Sequence, residues 1–253
     1  MKHLLNLLGQ NKHIHRTPLN FAKNEAGSEG TMFIYDVIYD GDGWGVSAMN
    51  VISAFSQLGD GGTMRMRYKS PGGDVMEAKA IVSAMREFKA KGGRIIGQVD
   101  AVAASCASWM VEESDEIEIV DGAFIMIHEV VGGAVGSPDE LRRVADVFDL
   151  IQRSIADLYV GRTGNALEQV QAWMKEETWF TADDAVAKGF ATRVISRLSD
   201  QPASATNMAW NLSAYNNVPD ALKKPPEPKA PDIDVAAIME NNQRRMRLLD
   251  IDA

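Results

Sequence analysis

Residues 63–74 read Thr63-Met64-Arg65-Met66-Arg67-Tyr68-Lys69-Ser70-Pro71-Gly72-Gly73-Asp74. Met64, Met66 and Tyr68 alternate with Arg65, Arg67 and Lys69, the period-2 pattern of a strand with one buried face. The strand runs straight into a Pro-Gly-Gly loop, and Asp74 with Glu77 three residues on reads as a capping-box-like helix start. Val75, Ala78, Val82, Met85 and Phe88 form that helix's apolar stripe, and Gly92-Gly93 ends it. Strand, glycine loop and helix in direct succession predict an α/β unit with the loop at the strand's carboxyl end.

The same alternation extends in both directions. Upstream, Met32 to Ile38 reads as a strand, and Ser47 caps a helix with Val51, Ile52, Phe55 and Leu58 on one face, stopped by Gly59. Downstream, Arg94 to Val99 is a strand leading to a small-residue turn, Ala101-Val102-Ala103-Ala104-Ser105, and Cys106 to Glu113 suits a helix. Short strands follow at Glu116–Val120 and Phe124–Ile127. Ser137-Pro138-Asp139-Glu140 is a helix start with cap, first-turn proline and reciprocal glutamate. It opens an apolar face of Leu141, Val144, Phe148, Ile151, Ile155 and Leu158, ending near Gly161. A shorter helix carries Leu167, Val170 and Trp173, Thr181 with Asp184 opens another, and a last strand spans Ala191 to Ile195. Repeated strand–helix pairs predict a mostly parallel sheet with flanking helices, whose sites lie at the carboxyl ends of strands.

Four regions follow from composition. Residues 1–30 read as a weakly ordered lead-in, 31–197 as the α/β domain, 198–232 as a linker or extended arm, and 233–253 as a helical tail. Six of the nine prolines lie between Pro202 and Pro231, and Val235, Ile238, Met246 and Leu249 mark one face of the tail.

Bulk properties exclude several classes. The chain has 253 residues and a net charge of −9, against a general nucleic-acid binder. No apolar run reaches the roughly 18–20 residues of a membrane span. The apolar block at Leu4–Leu8 is too short for a signal peptide, so neither secretion nor membrane insertion is expected. The single cysteine, Cys106, excludes an intrachain disulfide and a cysteine metal cluster. No metal-ligand spacing and no phosphate-binding glycine motif with its lysine is present, so neither a metal nor another cofactor is expected.

The chemistry-bearing residues fall in three places. Ser105 sits between a strand and a helix among small neighbours, so it is either a helix N-cap or an exposed nucleophile whose helix amides face developing negative charge. The Pro71-Gly72-Gly73 turn is either a plain strand-to-helix turn or a source of outward-facing N–H groups. His128 ends the Phe124–Ile127 strand and is the only histidine beyond residue 16, hence the only interior imidazole base. An orienting acid is open among Glu129, Glu176, Glu177, Asp183 and Asp184. Cys106 competes with Ser105 as nucleophile or packs as a small apolar side chain.

Taken in order, Ser70-Pro71-Gly72-Gly73, Ala103-Ala104-Ser105 and Met126-Ile127-His128 resemble the Clp-type serine peptidases. Two downstream stretches extend the resemblance, Thr163-Gly164-Asn165-Ala166-Leu167-Glu168-Gln169-Val170 and Trp179-Phe180-Thr181-Ala182-Asp183-Asp184-Ala185 with Gly189. It covers about residues 31–196 and implies the crotonase-like α/β fold, assembly into a homo-oligomeric ring, and action on protein substrates. It also implies Ser105 as nucleophile, His128 as base, and the backbone amides of Gly73 and Cys106 as the oxyanion hole. Counting back from the aromatic pair, the family's acid falls on Glu177, where aspartate is usual. Ala101 stands where glycine is usual, and Glu129-Val130 where Gln-Pro is usual.

Within the family, Glu177–Ala182, the Ser-Pro-Gly-Gly-Asp wording and the stretch Asn211–Pro219 look most like the head maturation proteases of tailed bacteriophages. That branch implies cleavage of scaffold or coat-protein segments inside the assembling prohead in the host cytoplasm, with the arm available for tethering to capsid or scaffold. The alternatives are a general Clp subunit fed by an ATP-dependent unfoldase, and an assembly protein that kept the fold without the peptidase.

Overall fold

The computed structural model describes residues 6–9, 11, 20–41, 45–196 and 210–223. The amphipathic stretch expected near 234–249 and most of the proline-rich segment lie outside these residues. Strands β1 (Asn20–Lys23) and β2 (Glu29–Ile34) form an antiparallel hairpin at one edge of an eight-stranded sheet. β1 and the first two residues of β2 lie within the span expected to be a weakly ordered lead-in, where β1 supplies an edge strand that the polar composition hid.

Helix α1 (Ala48–Leu58) then leads to β3 (Thr63–Ser70), helix α2 (Val75–Ala90) and β4 (Arg94–Ala104). β2, β3 and β4 pair in parallel. Met64, Met66 and Tyr68 of β3 are fully buried, as the alternation requires, under a core shared with Val51, Phe55, Ile81 and Met85. The opposite face is a polar ladder in which Arg65 bonds Gln98 and Glu118, and Arg67 grips Asp100 through two bonds of 2.9 Å. Asp74 caps α2 by accepting from Met76 N and Glu77 N. Glu77 does not complete a capping box: its carboxylate accepts from Ala48 N and ties the start of α2 to the start of α1.

β4 is longer than the sequence pattern indicated, and its two halves have different neighbours. Ile96–Val99 pairs in parallel with β5 (Glu116–Val120), whereas Val102–Ala104 pairs with β6 (Phe124–Ile127). Helix α3 (Cys106–Glu112) begins directly at the end of β4 and is buried along its whole length. After β6, the long helix α4 (Pro138–Thr163) starts with a full Ser137/Glu140 capping box and ends at Gly164 in the left-handed region. Its apolar face is not continuously covered. Ile155, Ala156 and Tyr159 are buried, but Leu141, Val147 and Leu150 are 42%, 49% and 72% exposed. Only the last turns of α4 pack on the core through Ile155, Ala156 and Tyr159, and the first turns project beyond it.

Helix α5 (Leu167–Lys175) leads into β7 (Thr178–Thr181), which pairs antiparallel with β6. A four-residue strand with two half-buried positions carries too little pattern to be legible, and β7 is absent from the sequence reading. Helix α6 (Ala182–Ala187) and β8 (Arg193–Ile195), parallel to β5, complete the sheet, and a short helix α7 (Asp220–Lys223) closes the described chain. Trp210, Leu212, Tyr215 and Val218 are buried in a second apolar cluster with Leu7, Val37, Val102, Ala104 and Met126. Over residues 210–223 the arm is therefore a packed part of the molecule.

Candidate active site

The glycine loop is fixed from below. Ser70, fully buried, donates its hydroxyl to Asp36 O at 2.7 Å and accepts from Gly72 N at 3.2 Å. Ile38 N donates to Gly72 O and Asp74 N to Ile38 O, which pins Gly73 against Ile38 as a one-residue parallel bridge. Gly72 has φ +90°, and a Cβ there would stand 2.7 Å from both Ala104 O and Ser105 Cβ. Only glycine lets this loop approach the Ser105 turn so closely.

The second element is the turn from β4 into α3. Ser105 has φ 55° and ψ −129°, a region that costs a non-glycine residue of order 1–3 kcal/mol. The surroundings hold it there. Ser105 N donates to Met126 O at 2.9 Å, and Ser105 O accepts from both Ser108 N and Ser108 Oγ. Ser108 Oγ is in turn 2.7 Å from Tyr159 Oη. The Ser105 hydroxyl makes no capping bond to α3, so the N-cap alternative does not describe it. It lies 2.7 Å from His128 Nε2.

Register brings the imidazole there. Ala104 pairs with Met126, so the residues just past each strand end, Ser105 and His128, emerge side by side. β6 and β7 then set the acid. Ile127 pairs with Thr178, and Glu177 stands immediately before β7, one residue ahead of that pair. Glu177 has φ 50° and is 9% exposed. Its Oε1 accepts from Asn216 N and Asn217 N, each at 2.7 Å, and its Oε2 from Asn216 Nδ2 at 3.3 Å.

The other acids have other partners or positions. Glu129 accepts from Gln152 Nε2 at 3.2 Å, on the α4 side. Glu176 is exposed and offers its backbone carbonyl to Asn217 Nδ2. Asp184 accepts from Thr181 Oγ1 at 2.8 Å, and Asp183 is an exposed acid of the first turn of α6.

Cys106 is 1% exposed, and burial pushes its thiol well above the usual range. A thiol held neutral is a poor nucleophile, and Cys106 packs as a small apolar side chain. The backbone N–H groups of Gly73 and Cys106 both act on that sulfur in the opposite sense, lowering its pKa.

Sequence reasoning missed the arm as part of this site. Trp210 Nε1 donates to Lys69 O at 3.2 Å, and Tyr215 Oη donates to Pro71 O. The Tyr215 ring lies edge-on to His128 with centroids 5.5 Å apart, and edge-on to Trp179 at 5.9 Å. Burial raises the Tyr215 phenol far above its ordinary value, while a hydrogen bond with the Ser105 hydroxyl acts the other way. Lys69, buried beside the loop, is lowered by desolvation to about 8, with Asp100 opposing the shift. The available signal was the run of large apolar residues, Trp210, Leu212, Tyr215 and Val218, in an otherwise polar segment.

A strained serine hydrogen-bonded to a histidine, with a glycine loop beside it, is an arrangement with the nucleophile and base of a serine hydrolase. A family model described as Clp protease matches residues 28–198, and the chain belongs to that family. It is 32% identical over 129 residues to the ATP-dependent Clp protease proteolytic subunit 2 of Nocardia farcinica, covering 50% of this chain and 62% of that protein. It is 30% identical over 130 residues to the corresponding subunit 2 of Rhodococcus jostii, covering 51% and 65%. Against the proteolytic subunit 1 of Mycobacterium tuberculosis the identity is 27% over 138 residues, covering 51% and 64%. The chain thus spans a little under two thirds of the length of these relatives. Among the described residues, no helix is long and apolar enough to cross a membrane.

Proposed function

We propose that this chain is a serine endopeptidase in which Ser105 is the nucleophile, His128 the general base and Glu177 the residue that orients the imidazole. The observation that carries this reading is the 2.7 Å contact between Ser105 Oγ and His128 Nε2 at a backbone held in a strained conformation. Ser105 Oγ attacks a peptide carbonyl as His128 Nε2 takes its proton. The Gly73 and Cys106 amides hold the tetrahedral oxyanion, each such donor being worth about 10²–10³ in rate. His128 returns the proton to the departing amine, and water resolves the acyl-enzyme by the same steps. No metal or other cofactor takes part in this scheme.

The protein substrates in this reading are scaffold or coat-protein segments of a tailed bacteriophage prohead, cleaved in the host cytoplasm by a homo-oligomeric ring. The wording at Glu177–Ala182 and the Asn211–Pro219 stretch support that branch, as does an arm packed over the site in a protein whose cleavage must wait for assembly. The exposed Leu141, Val147 and Leu150 of α4 supply an apolar surface for contact between copies. A general Clp subunit served by an ATP-driven unfoldase is the second reading, favoured by the names of the relatives.

Fluorophosphonate labelling mapped by mass spectrometry tests the chemistry: modification at Ser105 is expected, and labelling elsewhere alone overturns it. Co-expression with a coat–scaffold pair, and separately with an ATP-driven unfoldase and a folded substrate, distinguishes the two biological settings by which substrate is cut.

A further inference from the structure

A peptide carbonyl reacts with a serine only when it comes within about 3–3.5 Å of the hydroxyl, in a groove that holds the chain extended. In this molecule the chain's own arm packs beside Ser105 and His128, both of which are half-buried. The Tyr215 ring lies edge-on to both His128 and Trp179, and its hydroxyl reaches the glycine loop at Pro71 O. Lys69 and Pro71 stand two residues apart, where β3 runs out into the loop. Their carbonyls accept from Trp210 Nε1 and Tyr215 Oη. Backbone carbonyls at alternate positions of a strand end are the acceptors that an added peptide strand uses for its own N–H groups. Beyond Ser105, the Asn216 and Asn217 amides engage the Glu177 carboxylate. Side chains thus imitate the donors of a bound peptide on one side of the nucleophile, and true backbone N–H groups occupy the acid on the other.

We propose that residues 210–218 are an intramolecular occupant of the peptide groove over Ser105, so that the groove takes an extended peptide with an aromatic side chain beside the nucleophile and the resting chain is closed by its own arm. What the arm blocks rests on the peptidase reading above; that it occupies a peptide-binding groove does not. The apolar cluster of Val37, Val102, Ala104 and Met126 beneath Tyr215 and Leu212 gives the groove its preference for aromatic and aliphatic side chains. A strap holding about nine tenths of the molecules closed lowers apparent reactivity about tenfold.

The test uses full-length chains. Trp210→Ala/Tyr215→Ala is expected to label with fluorophosphonate at Ser105 about tenfold faster than wild type, and a synthetic peptide of residues 210–218 added in trans should return the rate to the wild-type value. Equal or slower labelling of the double variant, with its melting temperature retained, overturns the strap. Tyr215→Phe, which keeps the ring and removes only the hydroxyl, serves where the double variant does not fold. It is expected to label about threefold faster, and an unchanged rate overturns the strap. A second arm reads binding without chemistry. In a Ser105→Ala background, a fluorescein-tagged 210–218 peptide should bind the double variant about tenfold tighter than the chain with an intact arm. Equal binding overturns the strap. Differential binding with no chain labelling at Ser105 keeps the strap and sinks the peptidase reading, whereas labelling at one rate in both chains does the reverse.

Discussion

Helix α3 joins two buried polar regions that are built in opposite ways. At its amino end, the polar groups are engaged: Ser105 with His128, and Glu177 with three donors from the arm. At its carboxyl end, Glu112 is 4% exposed and neither of its oxygens has a hydrogen-bond partner among the described residues, nor does Ser114 Oγ. Arg162 Nε lies 3.6 Å from Glu112 Oε2 but spends a hydrogen bond on Ser114 O at 3.1 Å. Burial pushes the Glu112 carboxyl well above its ordinary value, with Arg162 opposing. One end of a two-turn helix thus holds its serine and carboxylate in hydrogen bonds, and the other is dry and costly. Changes at the first end should act on chemistry, and changes at the second on stability.

Four substitutions test that contrast. Ser105→Ala should abolish peptide cleavage and fluorophosphonate labelling while leaving the melting temperature close to wild type; a large loss of stability would mean that the hydroxyl is structural after all. Glu177→Gln, placed in the Tyr215→Ala background so that the arm does not mask the effect, should lower the labelling rate by between about 10² and 10⁴. If Glu129→Gln or Glu176→Gln is the damaging change, the acid has been misassigned.

Gly72→Ala forces a Cβ against Ala104 O and Ser105 Cβ, and should reduce both activity and stability, the latter by about 1–3 kcal/mol. Chemical denaturation together with labelling rates would show whether the two losses move together. Glu112→Gln should have the smallest effect and the opposite sign. Because the folded-state pKa lies above the unfolded value of 4.5, the stability contributed by the protonated form is complete below that value and is lost as pH rises toward the folded one. A glutamine cannot ionise, so the variant's melting temperature should exceed wild type by a margin that grows from pH 5 to pH 8, at about 2–4 °C per kcal/mol. Thermal melts across that range with no pH-dependent difference would break the contrast between the two ends.

The parts of this architecture that were legible in the sequence are those with local causes. The period-2 alternation at Met64–Tyr68 and the Asp74 and Ser137 caps are set by neighbours within a few positions. What remained hidden depends on distant chain. Glu77 left its expected capping box because Ala48 N, 29 residues away, offers a better-placed donor. The apolar stripe at Leu141–Leu150 looked like a core face, because periodicity reports amphipathicity and not what covers it. Ser105 and His128 could be named from motifs, but their meeting depends on the β4–β6 register, which no local pattern encodes. The arm's contacts span more than 140 residues, from Pro71 to Tyr215, and left no periodic trace.

That last contact has a consequence for concentration. Because groove and occupant belong to one polypeptide, their encounter is unimolecular, and the occupant competes at an effective concentration of order millimolar however dilute the protein becomes. Dilution alone will therefore not open the site, nor will a substrate present at ordinary micromolar levels. An incoming segment must be supplied at comparable local density, as it would be by chains packed inside a closed shell or threaded directly over the groove.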